Sequence, residues 1–315
     1  MTTKRARIGV LTYRRPQDIA AALPELAREA LRATAAGWET DIIVVDNDAD
    51  ASAHDTVCEF AAGSPVSIIY RCESTAGIAA ARNRVLEESP EVDLLAFIDD
   101  DERPIEGWLV LLLKAQLQFG GSVVGPVISK FDVEPSPWIT AGRFFVRRRV
   151  PTGTLVPAAA TNNLLLDLAP INAAGLRFDV GFGLSGGSDT LFTRKLTKLG
   201  ERIHWCDEAI VYDIVPRDRA TRRWVMRRAF RSGTSWSATS PFIAESLSER
   251  LRLQVGDFSN GLLRLIGGAA RIVLGTILRR QDLRARGART LARGAGLTAG
   301  VFGVRYFEYA RGKKA

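Results

Sequence analysis

Three carboxylates follow one another directly after an apolar run. In the segment LLAFIDDDERP, Asp99, Asp100 and Asp101 come after Leu94 to Ile98, which is short and apolar enough to be a central strand. Adjacent carboxylates repel one another and resist burial, so this position requires a compensating cation. Carboxylate oxygens suit Mg²⁺ or Mn²⁺, and a metal that bridges two nucleotide phosphates would neutralise a departing diphosphate. The alternative is an acidic turn in solvent.

Polar residues also end the first two predicted strands. The segment VVDNDAD puts Asp46 at the end of the second strand, and LTYRR puts Thr12, Tyr13 and Arg14 at the end of the first. Ligands of open α/β sheets bind outside the carboxyl ends of the strands, so these side chains and the acidic run should converge on one crevice. Hydrogen-bond acceptors with an aromatic or guanidinium face suit the base and ribose of a nucleotide. The alternative for Asp46 is an ordinary Asx turn.

A predicted helix opens at Gly77 in the segment STAGIAAARNRV and carries Arg82 and Asn83 on its second turn. Glycine permits close approach of the backbone to a ligand, and arginine pairs well with phosphate. We therefore assign these three residues to the nucleotide site. The alternative for Arg82 is a solvated or salt-bridged side chain.

A glycine-rich turn in FDVGFGLSGGSDTLFTRKL delivers Asp189 to the start of another predicted helix. A helix N-terminus favours negative charge and keeps a nearby carboxylate ionised. Asp189 is therefore a candidate general base, which would take a proton from an acceptor hydroxyl as that oxygen attacks a sugar carbon opposite the leaving group. Such a single displacement inverts the configuration. The alternative is that Asp189 only caps its helix.

The elements that must position these residues are strands that alternate with helices, which is typical of an open, twisted, mainly parallel sheet. The predicted strands are short apolar runs, at Ala6 to Thr12, Asp41 to Val45, Val66 to Tyr70, Leu94 to Ile98, Ser122 to Val127, Ala159 to Leu166, Ile203 to Trp205 and Ile210 to Val215. The expected fold class is α/β, with helices on both faces of the sheet.

The overall composition is that of a globular protein. The chain has 315 residues with 46% apolar residues, which can bury one large core or one core plus an appended module. Three scattered cysteines and the absence of a signal-peptide pattern favour a reducing cytoplasm. The segment Ser129 to Pro157 is rich in Pro, Gly, Arg and aromatic residues, which predicts a long loop beside a site.

Taken together, LTYRRP, VVDN, GIAAARN, FIDDDERP, FGLSGGSDTLF and HWCDEAIVYD resemble, in order and spacing, an inverting family 2 glycosyltransferase with the Rossmann-like GT-A fold. The resemblance covers roughly residues 6 to 235. It implies that Asp46 contacts the nucleobase, Asp99 the ribose and Asp101 the metal, as the last member of the DxD motif. It also implies that Asp189 is the catalytic carboxylate and that the donor is a UDP-sugar.

Two departures from the family pattern narrow the expected reaction. Ser188 stands where family members often carry an acidic residue before the catalytic Asp. The processive members carry QxxRW, whereas this chain keeps Arg223 and Trp224 but has Ala220 in place of the Gln. We therefore expect addition of one sugar to a saccharide or lipid-linked acceptor, as in bacterial glycolipid or exopolysaccharide assembly, rather than polymerisation.

Four further residues are weaker candidates. His204 could complete a metal site, and Trp205 beside it could stack on a sugar ring. Trp138 and Trp224 are further candidates for an acceptor platform. Each of the four could instead be a packing residue.

The basic charge is confined to the C-terminal third. Residues 217 to 315 carry 21 Lys and Arg and 6 Asp and Glu, a net charge of +15, whereas residues 1 to 216 have a net charge of −7. We therefore predict a catalytic domain over 1–216 and a basic, amphipathic helical region over 217–315. Its uncharged stretches fall short of a bilayer span, so we expect peripheral attachment to the anionic inner face of the cell membrane. The alternative is a solvated basic bundle.

Three other classes of protein share some of these features. A non-catalytic nucleotide-sugar-binding or membrane-docking protein would not need Asp99, Asp101 and Asp189 together. A sugar nucleotidyltransferase usually opens with a glycine-rich phosphate loop, and LTYRRP has no glycine. Arginines interleaved with aliphatic rather than stacking aromatic residues favour lipid over nucleic acid as the partner of the basic region.

Overall fold

The computed structural model describes residues 4–183 and 186–304. Its strands are β1 (Arg5–Thr12), β2 (Glu39–Asp46), β3 (Ile68–Cys72), β4 (Leu94–Asp99), β5 (Glu102–Pro104), β6 (Ser122–Val124), β7 (Val127–Phe131), β8 (Asn163–Asp167), β9 (Ile203–Trp205) and β10 (Val211–Val215). Its helices are α1 (Pro16–Ala35), α2 (His54–Gly63), α3 (Ile78–Glu87), α4 (Trp108–Phe119), α5 (Pro137–Gly142), α6 (Leu168–Ala173), α7 (Ser188–Lys198), α8 (Arg222–Thr239), α9 (Leu247–Ile277) and α10 (Gln281–Val301), with 3₁₀ turns at Val180–Phe182 and Ser240–Phe242.

The described chain divides into two compact units. The first contains residues 4–128, 147–183 and 192–213, and the second contains 129–146, 186–191 and 214–304. The second unit therefore includes more than the C-terminal third expected from charge. Part of the reason is that α10 binds the 129–146 segment directly, since Arg286 Nε donates to the carbonyl oxygen of Ala141 at 3.2 Å. That segment also contains α5, whereas the sequence predicted only a loop there.

The first unit is built on a seven-stranded sheet with the order β3-β2-β1-β4-β8-β6-β9. The first four strands of this order are parallel, and β8 is antiparallel to both β4 and β6. A second sheet has the order β5-β10-β7. The predicted α/β class with a mainly parallel sheet is confirmed.

Two apolar layers cover the faces of the large sheet. Ile8 and Val44 point into the layer that contains α1 and α4, while Val45 and Phe97 point into the layer with α3. Because side chains of a strand alternate between faces, strands buried on both faces are apolar along their whole length. This explains why short uninterrupted apolar runs predicted β1, β2 and β4. The predicted strand Ser122 to Val127 is wrong as one strand, because the chain divides there between β6 and β7, which belong to different sheets.

The register of the central strands decides where the site lies. Thr12 at the end of β1 pairs with Asp46 at the end of β2, and Leu11 pairs with Asp99 at the end of β4. Polar residues that follow the three strands therefore emerge at one edge of the sheet, as the carboxyl-end rule predicts.

The second unit is mainly helical. Helices α9 and α10 approach closely because glycines face each other along them: a Cβ at Gly268 would lie 2.7 Å from the backbone nitrogen of Leu291, and one at Gly294 would lie 2.8 Å from Arg264 Cβ. Helix α10 also meets α8 at Gly233, where a Cβ would lie 2.6 Å from the backbone nitrogen of Leu297. Small residues at these positions bring the backbones together.

Candidate active site

The acidic run lies at the turn between β4 and β5 in the first unit. Thr12 Oγ1 donates to Asp100 Oδ2 at 2.8 Å. Arg15 Nη1 lies 3.3 Å from Asp100 Oδ1 and 3.1 Å from Asp101 Oδ2. Residues at the end of β1 thus contact the acidic run directly. The structure therefore brings together the polar end of β1 and the acidic run, which the sequence predicted to converge.

Burial perturbs the ionisation of these carboxyls. Burial, together with the charge of Asp101, raises the pKa of Asp99 to about 7 against the opposing effect of Arg82. Burial likewise raises the pKa of Asp100 to about 6, although Arg15 and Thr12 oppose the rise. Neighbouring arginines therefore do not return either pKa to the ordinary range of a carboxyl group.

A fourth acid, Glu102, belongs to this cluster and was missed in the sequence. It is 2% exposed, its Oε2 accepts from the backbone N–H of Asp99 at 3.2 Å, and its Oε1 accepts from Asn162 Nδ2 at 2.6 Å. Burial raises its pKa well above the usual value, and the charge of Asp99 adds to the rise. The sequence did indicate this residue, because Glu102 directly follows the three aspartates in the run DDDE.

An ion pair completes the surroundings of the cluster. Asp213 on β10 stands opposite Glu102 on β5, and Arg147 Nη2 lies 3.2 Å from Asp213 Oδ2. The charge of Arg147 also acts on Asp99 and Glu102. Arg147 and Asp213 were not predicted because only the pairing of β5 with β10 brings them to the acidic run.

The donor set of this cluster fits a hard divalent cation. Burial raises the pKa of Asp99 and Asp100, so a cation beside them would offset the cost of ionising these buried carboxyls. Within residues 4–183 and 186–304, no three His, Cys, Asp or Glu side chains form a preassembled metal site. Mg²⁺ is commonly held by one or two carboxylates, with water and substrate phosphate oxygens completing its shell. Asp101 and its neighbours match that pattern.

Asp46 organises the loop after β2. Its carboxylate is 0% exposed and accepts hydrogen bonds from the backbone N–H of Asp48 at 3.0 Å and of Ala53 at 2.8 Å, and from the Tyr70 hydroxyl at 3.2 Å. The Asx turn considered for Asp46 is therefore present, since it binds a backbone N–H two residues on. Its contact with a nucleobase stays a prediction.

Two predicted nucleotide-site residues lie beside that loop. The guanidinium of Arg14 lies 5.4 Å from the ring centroid of Tyr13. Arg14 Nε also lies 3.1 Å from Asp48 Oδ2, and its Nη2 lies 3.2 Å from Asp50 Oδ2. The arginine and the aromatic ring therefore form one surface at the end of β1.

The loop that leads into α3 is held by Asn47. Its Nδ2 donates to the carbonyl oxygens of Glu73 at 2.9 Å and Thr75 at 2.7 Å, while its Oδ1 accepts from the backbone N–H of Gly77 at 2.9 Å. Gly77 has φ of 122° and packs against the backbone of Gly183. The sequence predicted a close approach at Gly77, and its structural partner here is another glycine.

Helix α3 carries the two remaining candidates of the nucleotide site. Arg82 is buried, lies 5.5 Å from the ring centroid of Phe178, and acts on the ionisation of Asp99. Asn83 donates to the carbonyl oxygen of Phe178 at 2.9 Å and accepts from its N–H at 2.8 Å. Arg82 is therefore close to the acidic cluster, whereas the observed contacts of Asn83 hold the backbone of the FDVGFG segment.

The structure does not bring His204 to the acidic cluster. His204 lies on β9, which β8 and β6 separate from β4, and its ring stacks on Phe119 with a centroid distance of 5.3 Å. The stacking is a contact of the packing alternative, and the role of His204 as a metal ligand stays a prediction. Trp205 beside it donates from Nε1 to Asp207 Oδ1 at 3.0 Å.

Asp189 lies in the second unit, in the first turn of α7. Its Oδ1 accepts from the backbone N–H of Thr190 at 2.7 Å. The negative group is thus at the positive end of a helix, as expected from the sequence. Its role as the general base stays a prediction.

The candidate acceptor residues of the second unit belong to stacked aromatic groups. Trp138 stacks on Phe144 with a centroid distance of 4.9 Å, and Arg222 lies 4.9 Å from the Trp138 ring. Trp224 stacks on Phe145 at 5.7 Å, with an interplanar angle of 4°. Both tryptophans are partly exposed.

Known proteins share both the fold and the sequence pattern. Residues 8–180 match the description Glycosyl transferase family 2. The succinoglycan biosynthesis protein ExoM of Rhizobium meliloti is 36% identical over 227 residues, which are 72% of each chain. Crystal structures of S. aureus TarS 1-349, alone and in complex with UDP-GlcNAc, superpose with TM-scores of 0.51 and 0.50 at 16% identity, over 91% of this chain and 90% of theirs. This chain therefore belongs to glycosyltransferase family 2 and is a glycosyltransferase with the GT-A fold.

Proposed function

We propose that the enzyme transfers one sugar from a UDP-sugar to an acceptor hydroxyl, with inversion, in the assembly of a cell-surface glycan. The observation that carries this proposal is the cluster of buried carboxyls with raised pKa values beside the ends of β1 and β4. The names of the relatives support it, because one refers to succinoglycan biosynthesis and a structural neighbour was crystallised with UDP-GlcNAc.

The donor would bind at the carboxyl edge of the large sheet. Asp46 and the surface of Tyr13 and Arg14 would receive the base, and Asp99 the ribose. Mg²⁺ or Mn²⁺ held by Asp101 would neutralise the diphosphate as it leaves. Arg82 reaches the same cluster from α3 and would pair with a phosphate.

The transfer itself would use Asp189. As a general base, its carboxylate takes the proton of the acceptor hydroxyl while that oxygen attacks the anomeric carbon, and the bond to the diphosphate breaks on the opposite side. The proton ends on the carboxyl group and the configuration is inverted. Partly exposed Trp138, Trp224 and Trp205 would provide ring faces for the acceptor saccharide.

The acceptor would be lipid-linked, and the enzyme would work at the inner face of the cell membrane. The net charge of +15 over residues 217–315 supports this, because it attracts an anionic leaflet.

Calorimetric titration with UDP, in the presence of Mn²⁺ and in its absence, tests the donor site. We expect metal-dependent binding that Asp101→Ala lowers at least tenfold. Glu91→Ala is the matched control, since it removes a carboxylate whose side chain is 83% exposed near the other end of β4. If neither UDP nor GDP binds with Mn²⁺, or if Asp101→Ala binds as well as the wild type, the proposed donor site is wrong.

A further inference from the structure

Helix α9 exposes a continuous row of apolar side chains. Seven large residues repeat every three or four positions, with Ala269 in the single gap, and each is between 37% and 71% exposed: Leu251, Val255, Phe258, Leu262, Ile266, Val273 and Ile277. We call these seven residues the apolar stripe. At 1.5 Å per residue the stripe is about 40 Å long. A contiguous exposed patch of this kind marks an interaction surface.

The opposite side of α9 is already used. Gly261, Gly268 and Gly275 are buried, and a Cβ at any of them would meet atoms of the α10 region within 3.0 Å. The apolar stripe is therefore on the exposed side of a helix whose other side is packed. Within the stripe, the ring of Phe258 meets that of Phe302 edge-on, with a centroid distance of 6.1 Å.

By length and composition, α9 is the one helix of the described chain that could cross a membrane, whereas the uncharged stretches of the sequence predicted no span. Its packing opposes such a crossing. The facing pairs Gly261 with Gly294 and Gly268 with Gly287 make α9 and α10 antiparallel along their lengths, so both would have to enter the bilayer. Helix α10 carries four arginines, at Arg284, Arg286, Arg289 and Arg293, which are costly in the hydrocarbon region.

The stripe could be covered by a second copy of the chain or by a lipid surface, and the surrounding charge favours the lipid surface. Arg252, Arg264 and Arg271 are exposed on α9 itself, and Arg279 and Arg280 follow its end. A second copy of the chain would bring the same basic region into apposition with itself, whereas an anionic lipid surface offers the opposite charge. Apolar side chains with accompanying arginines are the pattern of a helix that lies in the interface of a membrane.

We infer that α9 binds in the plane of an anionic membrane, with the apolar stripe inserted among the lipids and the helix not crossing the bilayer. Membrane binding would bring the enzyme within reach of a lipid-linked acceptor. This functional meaning rests on the proposed function.

The test is sedimentation of the full-length protein with vesicles of phosphatidylcholine alone or mixed with phosphatidylglycerol. We expect binding to the anionic vesicles, weakening with added salt, and release by alkaline carbonate. Leu262→Glu/Ile266→Glu should lower the partition coefficient at least tenfold. The matched control is Leu117→Glu/Leu199→Glu, which adds the same two charges at apolar residues of the first unit that are 60% and 59% exposed.

Leu262→Ala/Ile266→Ala is a second stripe variant, which removes apolar surface without adding charge and keeps good helix formers. It should also weaken vesicle binding, so the test does not depend on correct folding of the glutamate variant. Equal binding of stripe and control variants, or no binding to anionic vesicles, would overturn the inference. So would a dimer in the absence of lipid that the stripe variants dissociate, or protein that resists carbonate extraction. UDP binding measured without vesicles should be unchanged in the stripe variants, which separates this result from failure of the donor site.

Discussion

The side-chain oxygen of Asn47 accepts a hydrogen bond from the backbone N–H of Gly77 at 2.9 Å, across 30 residues of sequence. This bond links the loop after β2 to the start of α3. Since Arg82 is on the second turn of α3 and acts on Asp99, the position of Gly77 also helps to determine where a guanidinium meets the acidic cluster.

Gly77→Ala should destabilise the protein and weaken donor binding. Gly77 has φ of 122°, which is unfavourable for alanine, and the new Cβ would lie 3.2 Å from the backbone of Gly183. Residues forced into such conformations cost roughly 1–3 kcal/mol. Chemical denaturation and UDP calorimetry measure the two effects.

The control for that substitution is Gly63→Ala at the end of α2, where a Cβ would meet nothing within 4 Å. We expect Gly63→Ala to change the free energy of unfolding by no more than about 1 kcal/mol and to bind UDP normally. Similar behaviour of the two variants would contradict the role given to the backbone at Gly77.

The metal-free protein should lose stability as the pH rises from about 4 to about 7. Burial raises the folded-state pKa of Asp99 to about 7 and of Asp100 to about 6, so the native state holds protons that the unfolded state has already released in this range. Unfolding in EDTA, followed by circular dichroism across this range, measures the effect.

Added Mn²⁺ should reverse that loss, because it binds the ionised carboxyls. We expect it to raise the melting temperature by at least about 3 °C at pH 7.5 and by less at pH 5. Asp101→Ala should abolish the Mn²⁺ effect. A melting temperature that Mn²⁺ leaves unchanged at pH 7.5 would mean that the cluster binds no cation on its own.

Asp189→Asn should abolish transfer without loss of donor binding. The amide keeps the size of the side chain but cannot take a proton, and general-base catalysis contributes about 10²–10⁴-fold to the rate. Single-turnover transfer assays give the rate, and calorimetry gives the affinity for UDP.

A purely capping role for Asp189 predicts a different outcome. Because asparagine caps a helix about as well as aspartate, Asp189→Asn would then leave both the stability and the rate of transfer close to those of the wild type. Asp167→Asn is a suitable comparison, because Asp167 caps α6 through the backbone N–H of Ala169 at 3.1 Å and has no proposed chemical role.

The parallel strands and their polar ends were predictable because they depend on local sequence. Uninterrupted apolar runs identify buried strands, and the carboxyl-end rule then places Thr12 and Asp99 at one edge. The pairing of Glu102 with Asp213 was not predictable, because the antiparallel register of β5 and β10 joins residues 111 positions apart. For His204, the residue type suggested a metal ligand, but the sequence did not reveal that β8 and β6 separate its strand from β4.

The antiparallel pair α9 and α10, which we call the helical hairpin, had a signal in the sequence. Gly261, Gly268 and Gly275 recur every seven residues in α9, as Gly287 and Gly294 do in α10. The length of α9 was not evident from its uncharged stretches, because arginines interrupt the apolar run.

Two adjacent glycines of α9 allow a direct test of this hairpin. A Cβ at Gly268 would lie 2.7 Å from the backbone nitrogen of Leu291, whereas a Cβ at Gly267 would meet nothing within 4 Å. Gly268→Ala should therefore destabilise the hairpin by separating α9 from α10, by roughly 1–3 kcal/mol. Gly267→Ala should stabilise it by up to about 1 kcal/mol, since alanine is the better helix former. Thermal unfolding of the full-length variants decides the matter: equal shifts for the two substitutions would show that close glycine contacts do not hold the helices together.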